Sequence, residues 1–166
     1  MNCLSCKRKA IYSGFCNEHF VKYFERKFKK QLALSKLINR NEELNVVGDN
    51  KELAKFMLEQ LGRKLDAKFS KNGKTIETFA LDTKVSKDLS NLFKNNELIK
   101  STSIFEQFMQ KELNDYAKIK GLKISKAKLN TIEKEINSGL NKLKKRKTNL
   151  FFGASNFIKS FFKNKG

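Results

Sequence analysis

Residues 44–62 read LNVVGDNKELAKFMLEQLG. Leu44-Asn45-Val46-Val47 is short, apolar and rich in valine, and Gly48-Asp49-Asn50 ends it with turn-forming residues, the pattern of a strand. From Lys51 to Lys64 the spacing changes: Leu53, Phe56, Met57 and Leu61 recur at helical steps, and Gly62 lies where the helix should close. After a turn at Lys71-Asn72-Gly73, Thr75-Ile76-Glu77-Thr78-Phe79-Ala80-Leu81 reads as a second strand. Helices are expected over Ser86–Asn95, Ile104–Ile119 and Lys126–Lys147, with a short segment at Leu98-Ile99. Strands alternating with helices predict an α/β fold, a small parallel sheet covered by helices.

In a parallel sheet, phosphates bind at the loop after the first strand, where glycines admit them to the free N–H groups of the next helix. Here that loop is Val47-Gly48-Asp49-Asn50-Lys51. One glycine does not build a cradle, and Asp49 would repel a pyrophosphate, so no nucleotide site is expected.

Upstream, the chemistry is concentrated. All three cysteines and the single histidine lie within the first nineteen residues, as Cys3-x-x-Cys6 and Cys16-x-x-His19. A two-residue gap lets one tight turn present two ligands, and two such pairs complete a tetrahedron around one zinc ion. Lys7 to Phe15 suffices for a hairpin turning at Ser13-Gly14. Four protein ligands close the site, so the zinc is expected to be structural. With Cys3, Cys6, Cys16 and His19 committed, no Ser/His/acid or Cys/His nucleophile set is left; carboxylate catalysis stays open, although no pair of acids stands out, and an enzyme is the least favoured class. From His19 onward, Phe20, Tyr23, Phe24, Phe28 and Leu32 form a helical stripe suited to core packing. Lys22, Arg26, Lys29 and Lys30 fall largely away from it, as candidates for phosphate contacts.

The net charge of +19 is segregated. Residues 1–40 carry ten Lys/Arg against two acids, residues 41–117 twelve against thirteen, and residues 118–166 fourteen against two. Two basic ends around a near-neutral middle are the electrostatic footprint of a polyanion partner, usually nucleic acid. Lys144, Lys145, Arg146 and Lys147 are the candidate contacts at the second end. The aromatic tail, Leu150-Phe151-Phe152 through Phe157-Ile158 to Phe161-Phe162, carries Lys159, Lys163 and Lys165. It suits packing on the domain or a partner, and less readily an anionic membrane surface. No run of eighteen apolar residues occurs and the first twenty lack a signal peptide's apolar stretch, so a cytoplasmic protein is expected.

Cys3-x-x-Cys6, Cys16-x-x-His19-Phe20, Tyr23-Phe24-Glu25-Arg26-Lys27-Phe28 and Leu37-Ile38 together resemble the opening of the tRNA 2-thiouridine synthetases. In that family a zinc finger and basic helix precede an ATP-pyrophosphatase domain of the adenine-nucleotide alpha-hydrolase type. Val46-Val47, the helix to Leu65, Phe79-Ala80-Leu81-Asp82, Ser103 to Tyr116, and Leu140-Asn141-Lys142-Leu143 to Phe161 follow the family's order more loosely. The resemblance implies a zinc finger and basic helix over residues 1–40 and a reduced α/β domain with a helical C-terminal segment over 41–166. It departs where chemistry is done: Gly48-Asp49-Asn50-Lys51-Glu52 stands in place of the Ser-Gly-Gly-x-Asp-Ser loop, and the core has no cysteines. The implied protein is a degenerate, non-catalytic subunit that binds tRNA and pairs with an active paralogue. An unrelated small zinc-containing, RNA-binding or ribosome-associated protein stays open beside it, as does, less favoured, a membrane-surface or partner-docking protein.

Overall fold

The computed structural model describes residues 1–61, 65–95, 103–124, 129–144 and 149–163. Its elements run α1 (Asn17–Ser35), β1 (Glu43–Val47), α2 (Lys51–Leu61), β2 (Lys68–Phe69), β3 (Lys74–Glu77), α3 (Leu81–Asn95), α4 (Gln110–Lys120), α5 (Thr131–Lys144) and α6 (Leu150–Lys163). The three strands form one parallel sheet in the order β2-β1-β3, with Val46 opposite Ile76 and Leu44 opposite both Lys74 and Phe69. The α/β class and the parallel sheet are those the sequence predicts.

The core joins the N-terminal helix to the sheet. Phe20, Phe24 and Phe28 repeat every four residues, so their rings stand above one another on a single face of α1. All three are fully buried, in one cluster with Leu44, Leu53, Met57, Ile76, Phe105, Phe108 and Tyr116. Phe24 stacks on Tyr116 at 4.2 Å between ring centres and meets Phe108 at 4.5 Å, while Phe28 lies 5.9 Å from Phe105. Burying each ring stabilises the fold by roughly 2–3 kcal/mol. Three polar links among the described residues tie α1 to α4: Lys27 bonds Glu112 at 3.1 Å, the Tyr116 hydroxyl donates to Glu25 at 2.9 Å, and Lys120 pairs with Glu25 at 3.0 Å. Burial and that bond to Glu25 push the Tyr116 phenol far above its usual range.

A second cluster holds the C-terminal helix. Phe151 and Ile158 of α6 are buried against Leu81 and Val85 of α3, with Leu89, Met109, Leu140 and Ala154 around them. Phe151 and Ile158 of the aromatic tail thus pack on the domain, while Phe152 and Phe157 stay exposed. Among the described residues, no helix is long and apolar enough to cross a membrane.

One strand is unanticipated and four boundaries differ from expectation. Strand β2 has only two residues, too few for a period-two pattern to register. Strand β3 ends at Glu77 rather than Leu81, because Thr78 leaves the ladder: its hydroxyl donates to the Val47 carbonyl at 3.0 Å and accepts the Asn50 N–H at 3.2 Å. Helix α3 accordingly starts at Leu81, five residues before Ser86. Ile104 to Met109 is not helical. The Ile104 N–H bonds the Glu77 carbonyl, and the Ser103 hydroxyl donates to the Phe79 carbonyl while accepting the Phe105 N–H. The segment is therefore bound to the end of β3, and α4 begins only at Gln110. Helix α5 begins at Thr131, where Asn130 and Glu133 form a reciprocal capping box at 2.9 and 3.0 Å. The segment at Leu98-Ile99 lies outside the described residues.

Candidate metal centre and the closed crevice of the sheet

Backbone turns bring the two Cys/His pairs together. The Cys3 N–H bonds the Arg8 carbonyl at 2.8 Å and the Cys6 N–H the Cys3 carbonyl at 3.3 Å, curling the first pair into a knuckle. The intervening chain reverses at Ser13-Gly14, where φ is +45° and +86°, and Tyr12 pairs with Phe15 across the turn. Two successive residues in the left-handed region make the tight hairpin turn that a small residue and glycine accept most readily. The Leu4 N–H then reaches the Gly14 carbonyl at 2.9 Å, closing knuckle onto hairpin. Cys16 caps α1, which places His19 in that helix's first turn.

The result is a compact donor set. The sulfurs of Cys3, Cys6 and Cys16 and a ring nitrogen of His19 all lie within 4.8 Å of one another. Cys6 Sγ is 3.8 Å from Cys16 Sγ, and His19 Nδ1 is 3.5 Å from Cys3 Sγ and 3.4 Å from Cys16 Sγ. A tetrahedron with metal–sulfur bonds of about 2.3 Å and a metal–nitrogen bond of about 2.0 Å has edges of about 3.8 Å and about 3.6 Å. These four side chains could therefore hold one metal ion. Desolvation pushes the Cys3 thiol up, but backbone donors at Cys16 and Ser5, with His19 and Cys6 beside it, outweigh that and bring it down to about 6. A low-lying thiol suits metal ligation, since the thiolate is the ligand.

Along α1 the basic side chains leave the core. Lys22, Arg26, Lys29 and Lys30 are exposed and fall within an arc of about 100° at 3.6 residues per turn. Lys22 is held by Glu18 at 2.7 Å, and Glu18 also binds Arg8 at 3.0 Å. Between knuckle and helix lies a cavity of about 470 Å³ lined by Ser5, Phe15, His19, Lys22, Tyr23 and Arg26. Tyr23, expected in the core stripe, is instead 37% exposed and stacks on Phe15 at 5.1 Å. Its position one residue before Phe24 turns it about 100° from the Phe20–Phe24–Phe28 line, and that phase is the signal that separates it from the core. Lys27 turns inward, lying 4.5 Å from the Phe108 ring centre. Of the second basic group, Lys145, Arg146 and Lys147 lie outside the described residues, as do Lys165 and the side chains of Lys144, Lys159, Phe161, Phe162 and Lys163.

The loop after β1 is filled by the chain itself. Gly48 has φ +113°, and a Cβ there would lie 2.7 Å from Thr78 Oγ1. Asn50 is buried at the start of α2; its Nδ2 donates to the Thr78 carbonyl at 2.9 Å and to Gln110 Oε1 at 3.1 Å. Gln110 Nε2 returns a bond to Asn50 Oδ1 at 2.9 Å, and the Gln110 N–H bonds Asp82 at 3.0 Å. Glycine thus serves close approach to Thr78, and the Asn50 N–H, which a phosphate would need, is spent on Thr78. Past the end of β3, a cavity of about 300 Å³ is lined by Glu77, Asp88 and Glu133 with Lys84 and Lys87. Lys84 is paired with Asp88 at 2.9 Å, leaving carboxylates in excess and an environment hostile to phosphate.

No protein-family model matches the chain, and no curated protein matches it in sequence. Among solved structures it is similar to the U34-tRNA thiolase NcsA from Methanococcus maripaludis, determined with its [4Fe-4S] cluster. The TM-score is 0.74 at 12% identity, over 98% of this chain and 88% of that one. The cluster belongs to that protein; here all three cysteines stand in the knuckle, at the spacing of ligands that share a single ion. The likeness is one of fold.

Proposed function

We propose that this chain is a non-catalytic, tRNA-binding subunit for 2-thiolation of the wobble uridine, working beside a paralogue that carries the intact pyrophosphatase loop. The observation that carries the reading is the Asn50–Thr78–Gln110 closure: a thiolase-like fold whose phosphate crevice is filled with its own side chains. The knuckle holds one structural zinc through Cys3, Cys6, Cys16 and His19. tRNA phosphates meet Lys22, Arg26, Lys29 and Lys30 on α1, and Lys144 at the end of α5 with Lys145, Arg146 and Lys147 beyond it in the chain. The similarity to a U34-tRNA thiolase favours this over an unrelated zinc-containing RNA-binding protein, which would have basic ends but no thiolation partner.

Co-purification from the native host tests the partnership: a paralogue with the intact Ser-Gly-Gly-x-Asp-Ser loop is expected, and its absence would defeat the subunit assignment. Retention of tRNA should fall steeply with salt as phosphate contacts release counterions. Metal analysis should give one zinc per chain, lost in Cys16→Ser. Hydrolysis of ATP by the isolated chain would overturn the non-catalytic reading.

A further inference from the structure

We propose that the cavity between the knuckle and α1 is a subsite for one unpaired RNA nucleotide, its base stacked on Tyr23 and its phosphate held by Arg26. The inference rests on the tRNA-binding reading and deepens it, because it states which part of an RNA enters the protein. Four observations meet there. The volume, about 470 Å³, lies within the range of small-molecule sites and is far larger than a water site. Its aromatic wall is ready-made: Phe15 and Tyr23 stack at 5.1 Å with an interplanar angle of 19°, and Tyr23 stays 37% exposed. Its cation is available, since Arg26 is exposed and has no carboxylate partner among the described residues, whereas Lys22 beside it is paired with Glu18. Its remaining donor is fixed by the metal site. His19 Nδ1 faces the sulfurs of Cys3 and Cys16, so a zinc ion bound there would leave the ring proton on Nε2, which has no acceptor among the described residues.

Stacking surface, planar cation and orphan N–H in one concave site are the elements with which proteins take up single-stranded bases. A base inside a duplex has both faces covered and cannot enter a concavity, so the ligand is a loop, bulge or end nucleotide. The exposed run of Lys29 and Lys30 continues the positive stripe for the flanking phosphates.

The test uses the full-length, zinc-loaded chain and a short single-stranded RNA containing one 2-aminopurine, compared with the same strand annealed to its complement. Base stacking should quench the fluorescence of the single strand on binding, and the duplex should bind more weakly. Tyr23→Leu should weaken single-strand binding about tenfold and abolish the quench, and Tyr23→Phe should restore both. Lys29→Gln should weaken single strand and duplex alike. Unchanged fluorescence in the wild-type complex, with salt-sensitive tRNA retention intact, would overturn the nucleotide subsite and leave the tRNA-binding reading standing. Failure to retain either RNA at low salt would overturn both.

Discussion

Asn50 and Gln110 exchange side-chain hydrogen bonds across the carboxyl edge of the sheet: each amide donates to the other's oxygen, at 3.1 and 2.9 Å. The pair joins the start of α2 to the start of α4, elements sixty residues apart in the chain. Removing Asn50 takes the side-chain donor from the fully buried Thr78 carbonyl and both Asn50 bonds from Gln110, whose Nε2 keeps only Asn114 at 2.9 Å. Asn50→Ala should cost about 1–3 kcal/mol, at roughly 2–4 °C of Tm per kcal/mol for a chain of this size. Thermal unfolding followed by circular dichroism checks it, and an unchanged Tm would refute the closure.

Gln31 presents the opposite case. It lies 3% exposed on α1, and neither amide atom finds a partner among the described residues. Gln31→Met keeps the length and removes two desolvated polar groups. It should raise stability by about 1–2 kcal/mol, read as a higher midpoint in urea.

The C-terminal helix makes a prediction about packing. Phe151 is 1% exposed, whereas Phe152 is 41% exposed. Phe151→Ala should cost about 3–5 kcal/mol through lost burial and the cavity left behind, whereas Phe152→Ser should change stability by less than about 1 kcal/mol. Equal effects would mean that α6 does not dock on the Leu81–Val85 face of α3.

Glu42 supplies a pH signature. It accepts the Asn39 N–H at 2.8 Å and a bond from Lys74 at 3.1 Å, and the backbone donor first, with the ammonium second, holds its carboxyl below the ordinary range. A carboxyl lowered by folding stabilises the native state above its unfolded pKa, and that contribution is lost as pH falls through the folded value. Glu42→Gln should therefore be less stable than wild type at neutral pH, with the gap narrowing in acid as pH falls below the ordinary carboxylate range. Denaturant midpoints at neutral and acid pH measure it.

Much of this was legible along the chain, and the exceptions share a cause. The strand at Leu44–Val47, the helix from Lys51, the turn at Ser13-Gly14 and the Cys/His spacing are set by neighbours in sequence, so local patterns report them. The limits of β3 and α4 are set from a distance. Thr78 is drawn out of its strand by Val47 and Asn50, and Ser103 binds a helix-like stretch to Phe79. Hydrogen bonds between residues about 30 apart leave no periodicity to read. The same holds for the crevice: a lone glycine argued against a phosphate cradle, but only the fold reveals that Thr78 and Gln110 fill it. Tyr23 was misplaced for a narrower reason, since helical spacing alone tolerates a residue one step off the buried line.

His19 and Phe20 are consecutive, yet one side chain faces the sulfurs of Cys3 and Cys16 and the next is fully buried in the main core beside Tyr12 and Phe24. One peptide unit therefore serves two masters, and the knuckle cannot come apart as a private event. If chelation or thiol oxidation loosens the first turn of α1, the aromatic wall over Leu44 and Ile76 loosens with it. Metal supply would then govern how many molecules fold at all, before it governs how many can grip a ligand.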